Sequence, residues 1–204
     1  MKAAIHALKY DRLHPAARQL GKMLALAIAQ LAAESPAEML VVPVPLHRIK
    51  HAERGFNQAR SLAVEALKFL RMSHPAWKLT LASSTLMRLK ATESQAGLTP
   101  RQRRINVRGA FTVSDPGAVT LKHVLVVDDI FTTGATARAA AVALARAGAA
   151  SVWVATLARA RRANETRFDS ASTNAADDPG RSSHALAGIY REAGIISSHG
   201  QPSF

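Results

Sequence analysis

The hydrophobic and polar positions of this 204-residue chain alternate between short apolar runs and longer amphipathic stretches. Short apolar runs bounded by turn residues predict buried strands, and apolar residues three to four apart predict helices with one buried face. We predict strands at residues 39–44, 110–113, 123–128 and 151–157, with an extended stretch at 79–89. Helices are predicted at residues 5–10, 15–33, 56–72 and 137–148. Strands that alternate with helices predict an α/β fold with a parallel sheet flanked by helices.

Residues 163–204 differ from the rest of the chain because their apolar residues show no sustained period. The segment is rich in Ser, Ala, Asn, Asp, Gly and His, a composition typical of disordered chain. We therefore predict one domain at residues 1–162 and a disordered tail at 163–204, in which residues 184–196 can form a short helix. Residues 91–104 have few apolar side chains and several turn formers, which predicts a flexible loop inside the domain.

Basic residues are concentrated in the predicted domain. Residues 1–162 hold 24 Lys and Arg against 9 Asp and Glu, a net charge of +15, whereas residues 163–204 hold 3 against 5, a net charge of −2. A basic domain favours phosphate-rich ligands such as nucleotides, sugar phosphates or nucleic acid, although a GC-rich coding sequence would also enrich arginine. Few aromatic residues accompany the basic ones, so strong stacking on single-stranded nucleic acid is not expected.

The composition also bears on location and on metal sites. The chain has no cysteine, which excludes disulfides and thiolate metal sites and is compatible with a reducing cytoplasm. No run of 18 or more apolar residues occurs, so no membrane span is expected. The apolar run at residues 23–33 resembles the core of a signal peptide, but it begins late, after a polar stretch that includes Asp11. We predict a cytoplasmic protein.

The most informative segment is residues 124–136, with the sequence VLVVDDIFTTGAT. Four apolar β-forming residues end in Asp128 and Asp129, and a turn of small and hydroxyl-bearing residues leads into the predicted helix. This order points backbone N–H groups and the positive end of a helix dipole at an anion, which suits a phosphate. Two adjacent carboxylates suit sugar hydroxyls or a metal ion. Paired aspartates at a strand end also occur in response-regulator and phosphatase-like folds that bind Mg²⁺, so the carboxylates alone leave both interpretations open.

Two further segments are rich in cations. In residues 41–60, VVPVPLHRIKHAERGFNQAR, a strand leads into a Pro-Val-Pro turn, a basic loop and the start of a helix. Arg54 lies just before that helix and can add its charge to an anion site. Residues 88–111 hold six Lys and Arg and one acid, Glu93, and such a loop can close over a diphosphate. Each segment by itself is also compatible with a solvated basic loop.

The three segments together resemble the ComF/GntX family of phosphoribosyltransferase-like proteins, and residues 124–136 resemble the phosphoribosyl diphosphate (PRPP) motif of type I phosphoribosyltransferases. The first two family elements are a PVP turn followed by RGFNQ, and an R-x-x-x-T-x-x-Q-x-x-L stretch that ends in RxNV-x-GAF. They are matched by residues 43–45 and 54–58, and by Arg88, Thr92, Gln95, Leu98, Arg103, Arg104, Asn106, Val107 and residues 109–111. The resemblance covers residues 4–162, but the four-cysteine zinc module usual in the family has no counterpart in this sequence.

The resemblance implies a type I phosphoribosyltransferase-like fold with a small hood and a flexible loop. It implies that Asp128 and Asp129 are the catalytic residues and accept hydrogen bonds from the ribose hydroxyls. The 5′-phosphate would be held by Thr132, Thr133, Gly134, Ala135 and Thr136. The diphosphate would be neutralised by Arg54, with Arg88 or Arg103. Mg²⁺ is the implied cofactor, held by the ligand and water with no direct protein ligand.

The implied function is binding of PRPP or a related ribose phosphate with Mg²⁺, by a phosphoribosyltransferase of unknown acceptor that acts in competence, DNA uptake or nucleotide metabolism. The alternative is a non-catalytic PRPP- or nucleotide-sensing module that binds single-stranded DNA, with competence proteins as further partners. His47, His51 and His123 can each serve as an acid or base, but we predict that all three are loop or strand-edge residues.

Overall fold

The computed structural model describes residues 14–90, 99–131, 133–159 and 188–190. Its helices are α1 His14–Ala29, α2 Arg48–Arg54, α3 Gln58–Ser73, α4 Pro100–Asn106 and α5 Ala135–Arg146. Its strands are β1 Glu38–Pro43, β2 Lys78–Leu81, β3 Leu86–Arg88, β4 Phe111–Val113, β5 His123–Phe131, β6 Ser151–Arg159 and β7 Gly188–Tyr190. Within these ranges, no helix combines the length and the apolar character that crossing a membrane requires.

Five strands form the main sheet in the order β2, β1, β5, β6 and β7. The first four are parallel, and β7 is antiparallel to β6. The predicted parallel sheet flanked by helices is therefore confirmed. Because parallel strands end at the same edge, the segments that follow β1 and β5 lie side by side, and β5 occupies a central position with a neighbour on each side.

The main sheet is buried on both faces, which explains why its strands are continuous apolar runs. Successive residues of β5 point to opposite faces, so Leu125 and Val127 join one core cluster and Val124 and Val126 join another. The first cluster is completed by residues of α1 and α3, and the second by α5 and by β3 and β4. The two packed layers hold the carboxyl end of β5 between them.

Strands β3 and β4 form a separate, two-stranded antiparallel sheet in which Leu86 pairs with Val113 and Arg88 with Phe111. Leu86 and Phe111 are buried in the cluster that includes α5. This second sheet is a small unit that packs beside the main sheet, against α5. The extended stretch predicted at residues 79–89 is divided between the two sheets, with β2 in the first and β3 in the second.

Two segments predicted as loops contain helices. The basic segment after the Pro-Val-Pro turn forms α2, which has no buried residue and ends at Gly55 in the left-handed conformation. In the predicted flexible loop, residues 91–98 lie outside the described residues, but Pro100–Asn106 forms α4. Thr99 and Gln102 cap α4 reciprocally: the Gln102 N–H donates to Thr99 Oγ1 at 3.3 Å, and the Thr99 N–H donates to Gln102 Oε1 at 2.8 Å.

The predicted tail contains one described element. Gly188–Tyr190 forms β7, which pairs with Val154–Thr156 of β6 in the main sheet, so these residues form a strand where a short helix was expected. The other residues of the tail lie outside the described residues, as do the helix predicted at residues 5–10 and the end of the domain at residue 162. The domain boundary therefore stays a prediction.

Candidate functional site

The predicted phosphate loop lies at the carboxyl edge of the main sheet, between the end of β5 at Phe131 and the start of α5 at Ala135. Asp128 and Asp129 lie near the carboxyl end of β5, and Asp128 is in register with Thr156 of β6. Thr132 lies outside the described residues. Strand, loop and helix thus follow one another as the sequence predicts, and α5 begins six residues after Asp129.

The two carboxylates are held by the backbone that follows them. The Asp129 N–H donates to Asp128 Oδ1 at 2.9 Å, and the Ile130 N–H donates to Asp129 Oδ1 at 2.8 Å. Both side chains are half-buried. These bonds fix the orientation of the carboxylates, because each side chain is tied to the peptide group next to it. The remaining carboxylate oxygens can accept hydrogen bonds from a ligand hydroxyl.

Asp128 is the most perturbed titratable group of the site. Burial raises its pKa well above the ordinary value of 3.8, and the neighbouring charge of Asp129 raises it further. The charge of Arg88 lowers the pKa of Asp128 but does not cancel these effects. Although part of the Asp128 side chain is exposed to solvent, enough protein surrounds the carboxyl group to disfavour its charged form. A cation or hydroxyl donor placed here would stabilise the ionised form.

Arg88 brings the second sheet to the carboxylates. Its guanidinium carbon lies 5.5 Å from the centre of the Phe111 ring, on the neighbouring strand. Burial lowers the pKa of Arg88, while attraction to Asp128 acts in the opposite direction. The ring of Phe111 therefore supports a cation next to the paired aspartates. Of the three arginines predicted to hold diphosphate, Arg88 has a described electrostatic interaction with the site.

The backbone conformation at position 134 favours glycine over any other residue. Its φ is 72°, in the left-handed region that residues with a Cβ rarely adopt. A Cβ at this position would lie 2.6 Å from Cζ of Phe131, closer than two carbon atoms can approach. Gly134 therefore lies against the Phe131 ring in a conformation that suits glycine, and α5 begins at the next residue.

The N-cap residue of α5 has no side chain that could cap the helix. Gly134 provides no side-chain cap, and the hydroxyl of Thr133 accepts a hydrogen bond of 3.4 Å from the Ala135 N–H. Ala135 is buried, whereas Thr133 and Thr136 are half-buried. The first N–H groups of a helix have no partner inside the helix and carry its positive dipole end. An anion with several acceptor oxygens suits this position.

A line of hydrogen bonds connects the start of α3 to the carboxylates. Asn57 caps α3 by accepting from the Arg60 N–H at 3.2 Å, and its amide donates to the carbonyl of Val44 at 3.0 Å. The Val44 N–H in turn donates to the carbonyl of Val127 at 2.9 Å. Because Val127 directly precedes Asp128, the RGFNQ motif is fixed at the same edge of the sheet as the aspartates.

Arg54 lies one turn before this cap. It is half-buried at the end of α2, and its Nη1 donates to Oε1 of Gln58 at 3.5 Å. Gln58 is 3% exposed, and its Nε2 is buried without a hydrogen-bond partner among the described residues. The other basic side chains of α2 are exposed, and Lys50 pairs with Glu53 at 2.8 Å. Arg54 is therefore the cation of this segment that α2 turns toward the protein.

The remaining candidate residues are Arg103 and the histidines His47, His51 and His123. Arg103 belongs to α4, but its side chain lies outside the described residues. His123 is at the amino end of β5, where its Nδ1 lies 2.9 Å from Ser151 Oγ, so it is at the opposite edge of the sheet from Asp128. His47 caps the start of α2, and His51 is exposed on it. None of these three histidines has a described contact with the carboxylates.

The sequence agrees with the strand–loop–helix geometry. Residues 58–175 match the family described as phosphoribosyl transferase domain, which is more than half of the chain. The chain belongs to the phosphoribosyl transferase domain family. This match covers the second sheet, the aspartate pair and the loop before α5. The matched region starts at the buried glutamine that contacts Arg54.

Two relatives show more closely which members of this family the chain resembles in sequence. The chain is 34% identical over 157 residues to the DNA utilization protein YhgH of Escherichia coli strain K12, covering 76% of this chain and 65% of the relative. It is 30% identical over 146 residues to Competence protein F of Haemophilus influenzae, covering 70% of this chain and 61% of the relative. The predicted resemblance to the ComF/GntX family is thereby confirmed. The chain spans less than two thirds of the length of these relatives.

Solved phosphoribosyltransferases are also similar to this chain. The glutamine PRPP amidotransferase of Bacillus subtilis, complexed with ADP and GMP, shares 25% identity at a TM-score of 0.40, covering 71% of this chain and 26% of that one. The hypoxanthine-guanine phosphoribosyltransferase of Schistosoma mansoni, complexed with IMP, shares 19% identity at a TM-score of 0.41, covering 72% of this chain and 57% of that one. The family assignment rests on the sequence match.

Two supporting residues of this phosphoribosyl transferase domain were not predicted. The sequence shows Phe131 three residues before the loop glycine. It does not show the contact between them, because this contact depends on the φ of Gly134. Gln58 was identified only as part of the RGFNQ motif. Its spacing of four residues from Arg54 is a signal for a contact on one helical face, but α2 and α3 are separate helices.

The raised pKa of Asp128 predicts a stabilising substitution. Since the folded-state pKa exceeds the unfolded value, the associated stability is complete below the ordinary value of 3.8 and is lost as the pH rises through the folded-state pKa. Asp128→Asn has no charge to bury, so it should melt a few degrees higher than wild type at pH 8 and equally at pH 4. A tenfold change in ionisation constant corresponds to about 1.4 kcal/mol. Calorimetry across this pH range measures the effect.

The control is Asp115→Asn, which alters an exposed carboxylate whose Oδ1 accepts from the Gly117 N–H at 2.9 Å. At pH 8 this control should melt close to wild type, because the side chain that it changes is exposed. If Asp128→Asn is less stable than wild type at pH 8, the charge of Asp128 does not destabilise the folded state.

Proposed function

We propose that this chain binds PRPP with Mg²⁺ at the loop between β5 and α5, and that it acts in competence, DNA uptake or DNA metabolism. The observation that carries the proposal is the position of two oriented carboxylates, Asp128 and Asp129, in the last residues of β5, directly before the loop that leads into α5, whose N-cap residue Gly134 makes no side-chain hydrogen bond. A sugar phosphate needs both parts, because its hydroxyls seek carboxylates and its phosphate seeks N–H donors.

The phosphate half of the ligand suits the first turn of α5. The 5′-phosphate would accept hydrogen bonds from the N–H groups and hydroxyls of residues 132–136. The left-handed turn at Gly134 lets the backbone approach the phosphate without a side chain in the way. Each hydrogen bond to a charged phosphate contributes about 1.5–3 kcal/mol. Several such bonds would hold a dianionic group at this position.

The ribose half suits the aspartate pair. The 2′ and 3′ hydroxyls would donate to the carboxylates of Asp128 and Asp129, since each carboxylate oxygen can accept more than one hydrogen bond. Binding requires ionised carboxylates, so affinity should rise with pH as Asp128 loses its proton. In a transfer reaction the same two charges would stabilise the positive charge that develops on the ribose ring when diphosphate leaves.

The diphosphate would be neutralised by arginine. Arg88, supported by Phe111, is attracted to Asp128, so a bound ligand would share this cation. Arg54 is fixed to the same edge through α3, next to the buried amide of Gln58, whose Nε2 has no partner among the described residues. Arginine suits this role because its planar fork of donors matches phosphate oxygens.

Mg²⁺ fits the site as part of the ligand complex. Among the described residues, no cluster of three or more His, Cys, Asp or Glu side chains is arranged to hold a metal. The two adjacent carboxylates suit an octahedral ion that keeps most of its ligands as water and phosphate oxygens. When bound, Mg²⁺ would supply positive charge at the diphosphate. Asp128 and Asp129 would orient it through the ribose hydroxyls or through water.

The cellular role rests on the relatives. One is named a DNA utilization protein and another Competence protein F, and both align with most of this chain. The 204-residue sequence has a net charge of +13, which favours contact with polyanions. A phosphoribosyltransferase fold with a role in DNA utilization agrees with both observations.

A second candidate is a PRPP or nucleotide sensor without turnover, which binds single-stranded DNA. The observation that favours it is the position of His47, His51 and His123, none of which has a described contact with the carboxylates. A transferase also needs a group that prepares the acceptor. Release of diphosphate from PRPP in a mixture of candidate bases and amines distinguishes the two functions, because only an enzyme produces it.

Binding of PRPP should raise the melting temperature, because a ligand that selects the native state stabilises it by mass action. At a concentration of about 100 times the dissociation constant, the stabilisation is about 2.7 kcal/mol. Thermal shift titrations with PRPP, ribose 5-phosphate and AMP, each with and without Mg²⁺, test this. PRPP with Mg²⁺ should give the largest shift. No shift at millimolar PRPP with Mg²⁺ would overturn the site assignment.

A further inference from the structure

A groove of about 930 Å³ runs along the side of α5 that faces the second sheet and α4. We refer to it as the α5 groove. Four exposed cations line it: Lys90, Arg108, Arg138 and Arg146. No acidic side chain lines it among the described residues. The groove therefore presents positive charge along its length, in contrast to the aspartate pair at the end of β5.

Its centre is apolar. Val142 of α5 is 39% exposed, and Ile105 of α4 is 65% exposed on the opposite wall. Arg138, Val142 and Arg146 are four residues apart and so share one face of α5 over about 12 Å. Along this face of α5, the aliphatic side chain of Val142 therefore lies between two cations. An apolar patch rimmed by polar or charged residues marks an interaction site, and Val142 and Ile105 in one groove with four cations form such an arrangement.

Nucleic acid matches this surface less well. Single-stranded nucleic acid gains much of its binding energy by stacking bases on aromatic rings. The aromatic residue that lines the groove, Phe111, is buried and carries the guanidinium of Arg88 near its ring. A phosphate backbone would satisfy the cations but leave Val142 and Ile105 uncovered.

We propose that the α5 groove docks an amphipathic helical segment of a partner protein, with an apolar stripe flanked by acidic residues. Its apolar side chains would cover Val142 and Ile105, and its carboxylates would pair with the arginines at the two ends of the stripe. This inference is independent of PRPP binding, since none of the four cations belongs to the proposed ribose, phosphate or diphosphate contacts. The groove begins at Ala135, so the docked segment would lie beside the phosphate loop.

The probe is a fluorescent helical peptide of about 14 residues, with leucines spaced three and four apart and glutamates on both flanks. Fluorescence anisotropy with the full chain should detect binding. Matched probes are a peptide of the same composition with shuffled leucines, and an oligothymidylate of about 12 nucleotides. The shuffled peptide should bind about tenfold more weakly, because it keeps the charge but loses the apolar stripe.

Two exposed positions test the location. Val142→Glu and Arg146→Glu should each weaken binding of the striped peptide by about tenfold or more. The control is Met72→Glu, which adds a negative charge at an 83% exposed residue of α3, outside the groove, and should leave binding unchanged. Melting temperatures of all three variants confirm that they are folded. PRPP-induced stabilisation should remain in each, which separates this surface from the proposed ligand site.

Three outcomes would overturn the proposal. The striped peptide fails to bind, or it binds no better than the shuffled peptide, which would reduce the groove to a charged surface. Alternatively, the oligonucleotide binds more tightly than the peptide and is the ligand that Val142→Glu and Arg146→Glu release, which would assign the groove to nucleic acid.

Discussion

Replacing Asp128 and Asp129 together with asparagine should abolish PRPP binding and leave the protein folded. Each carboxylate would lose a charge-assisted hydrogen bond to a ribose hydroxyl, at about 1.5–3 kcal/mol each, so affinity should fall by more than roughly a hundredfold. The fold should survive, because asparagine keeps an oxygen that can accept from the Asp129 and Ile130 backbone positions. Calorimetric titration with PRPP and Mg²⁺ measures the loss.

Asp115→Asn serves as the matched control, because it removes one exposed carboxylate that is remote in sequence from the loop. It should bind PRPP as wild type does. If the double variant also binds PRPP as tightly as wild type, the aspartate pair does not contact the ligand.

Gly134→Ala should both destabilise the protein and weaken PRPP binding. Alanine would be strained at a φ of 72°, and its Cβ would lie 2.6 Å from the Phe131 ring. The strain costs about 1–2 kcal/mol and the overpacking about 1–3 kcal/mol. In a chain of this length, each kcal/mol lowers Tm by roughly 2–4 °C. Relief of the clash would displace the loop that is proposed to hold the phosphate.

The matched control is Gly109→Ala, which has the same backbone strain without the clash. Gly109 has a φ of 63°, and the atom nearest to its added Cβ is Nζ of Lys90 at 3.9 Å. This variant should lose only the strain energy and should retain PRPP affinity. Equal losses of stability and affinity in the two variants would show that the contact with Phe131 is unimportant.

The elements nearest the proposed ligand were the most predictable from sequence. The run from Val124 to Val127 is buried on both faces of the sheet, so its hydrophobic pattern is continuous and its end is marked by two acids. The TTGAT turn marks the start of α5 because it contains the left-handed glycine on which the turn depends. Local chemistry determines both features, and a local pattern can therefore reveal them.

The missed helices lack a hydrophobic pattern. Helix α2 buries none of its residues, so its sequence RIKHAER has no apolar period to detect. Helix α4 carries a different signal, the capping pair of Thr99 and Gln102 with Pro100 at the first helical position, which was available in the sequence. Short exposed helices are thus better predicted from their caps than from periodicity.

Contacts between distant elements could not be predicted from the sequence. Arg88 meets Phe111 because β3 and β4 pair antiparallel in one register, and a shift by one residue would separate them. The three residues of β7 form a strand because the edge of β6 offers unpaired backbone groups, which the composition of the tail does not indicate. Both features depend on tertiary pairing.

The central claim, that the β5–α5 loop holds the phosphate and ribose of PRPP, is tested most directly by amide NMR. Uniformly ¹⁵N-labelled protein would be titrated with PRPP and Mg²⁺, and backbone amide shifts would be followed. The largest changes should occur at Asp129 and at residues 133–136, because these N–H groups lie at the proposed ligand. Absence of changes at saturating PRPP, or changes confined to the α5 groove or to the surface between α1 and α3, would contradict the account.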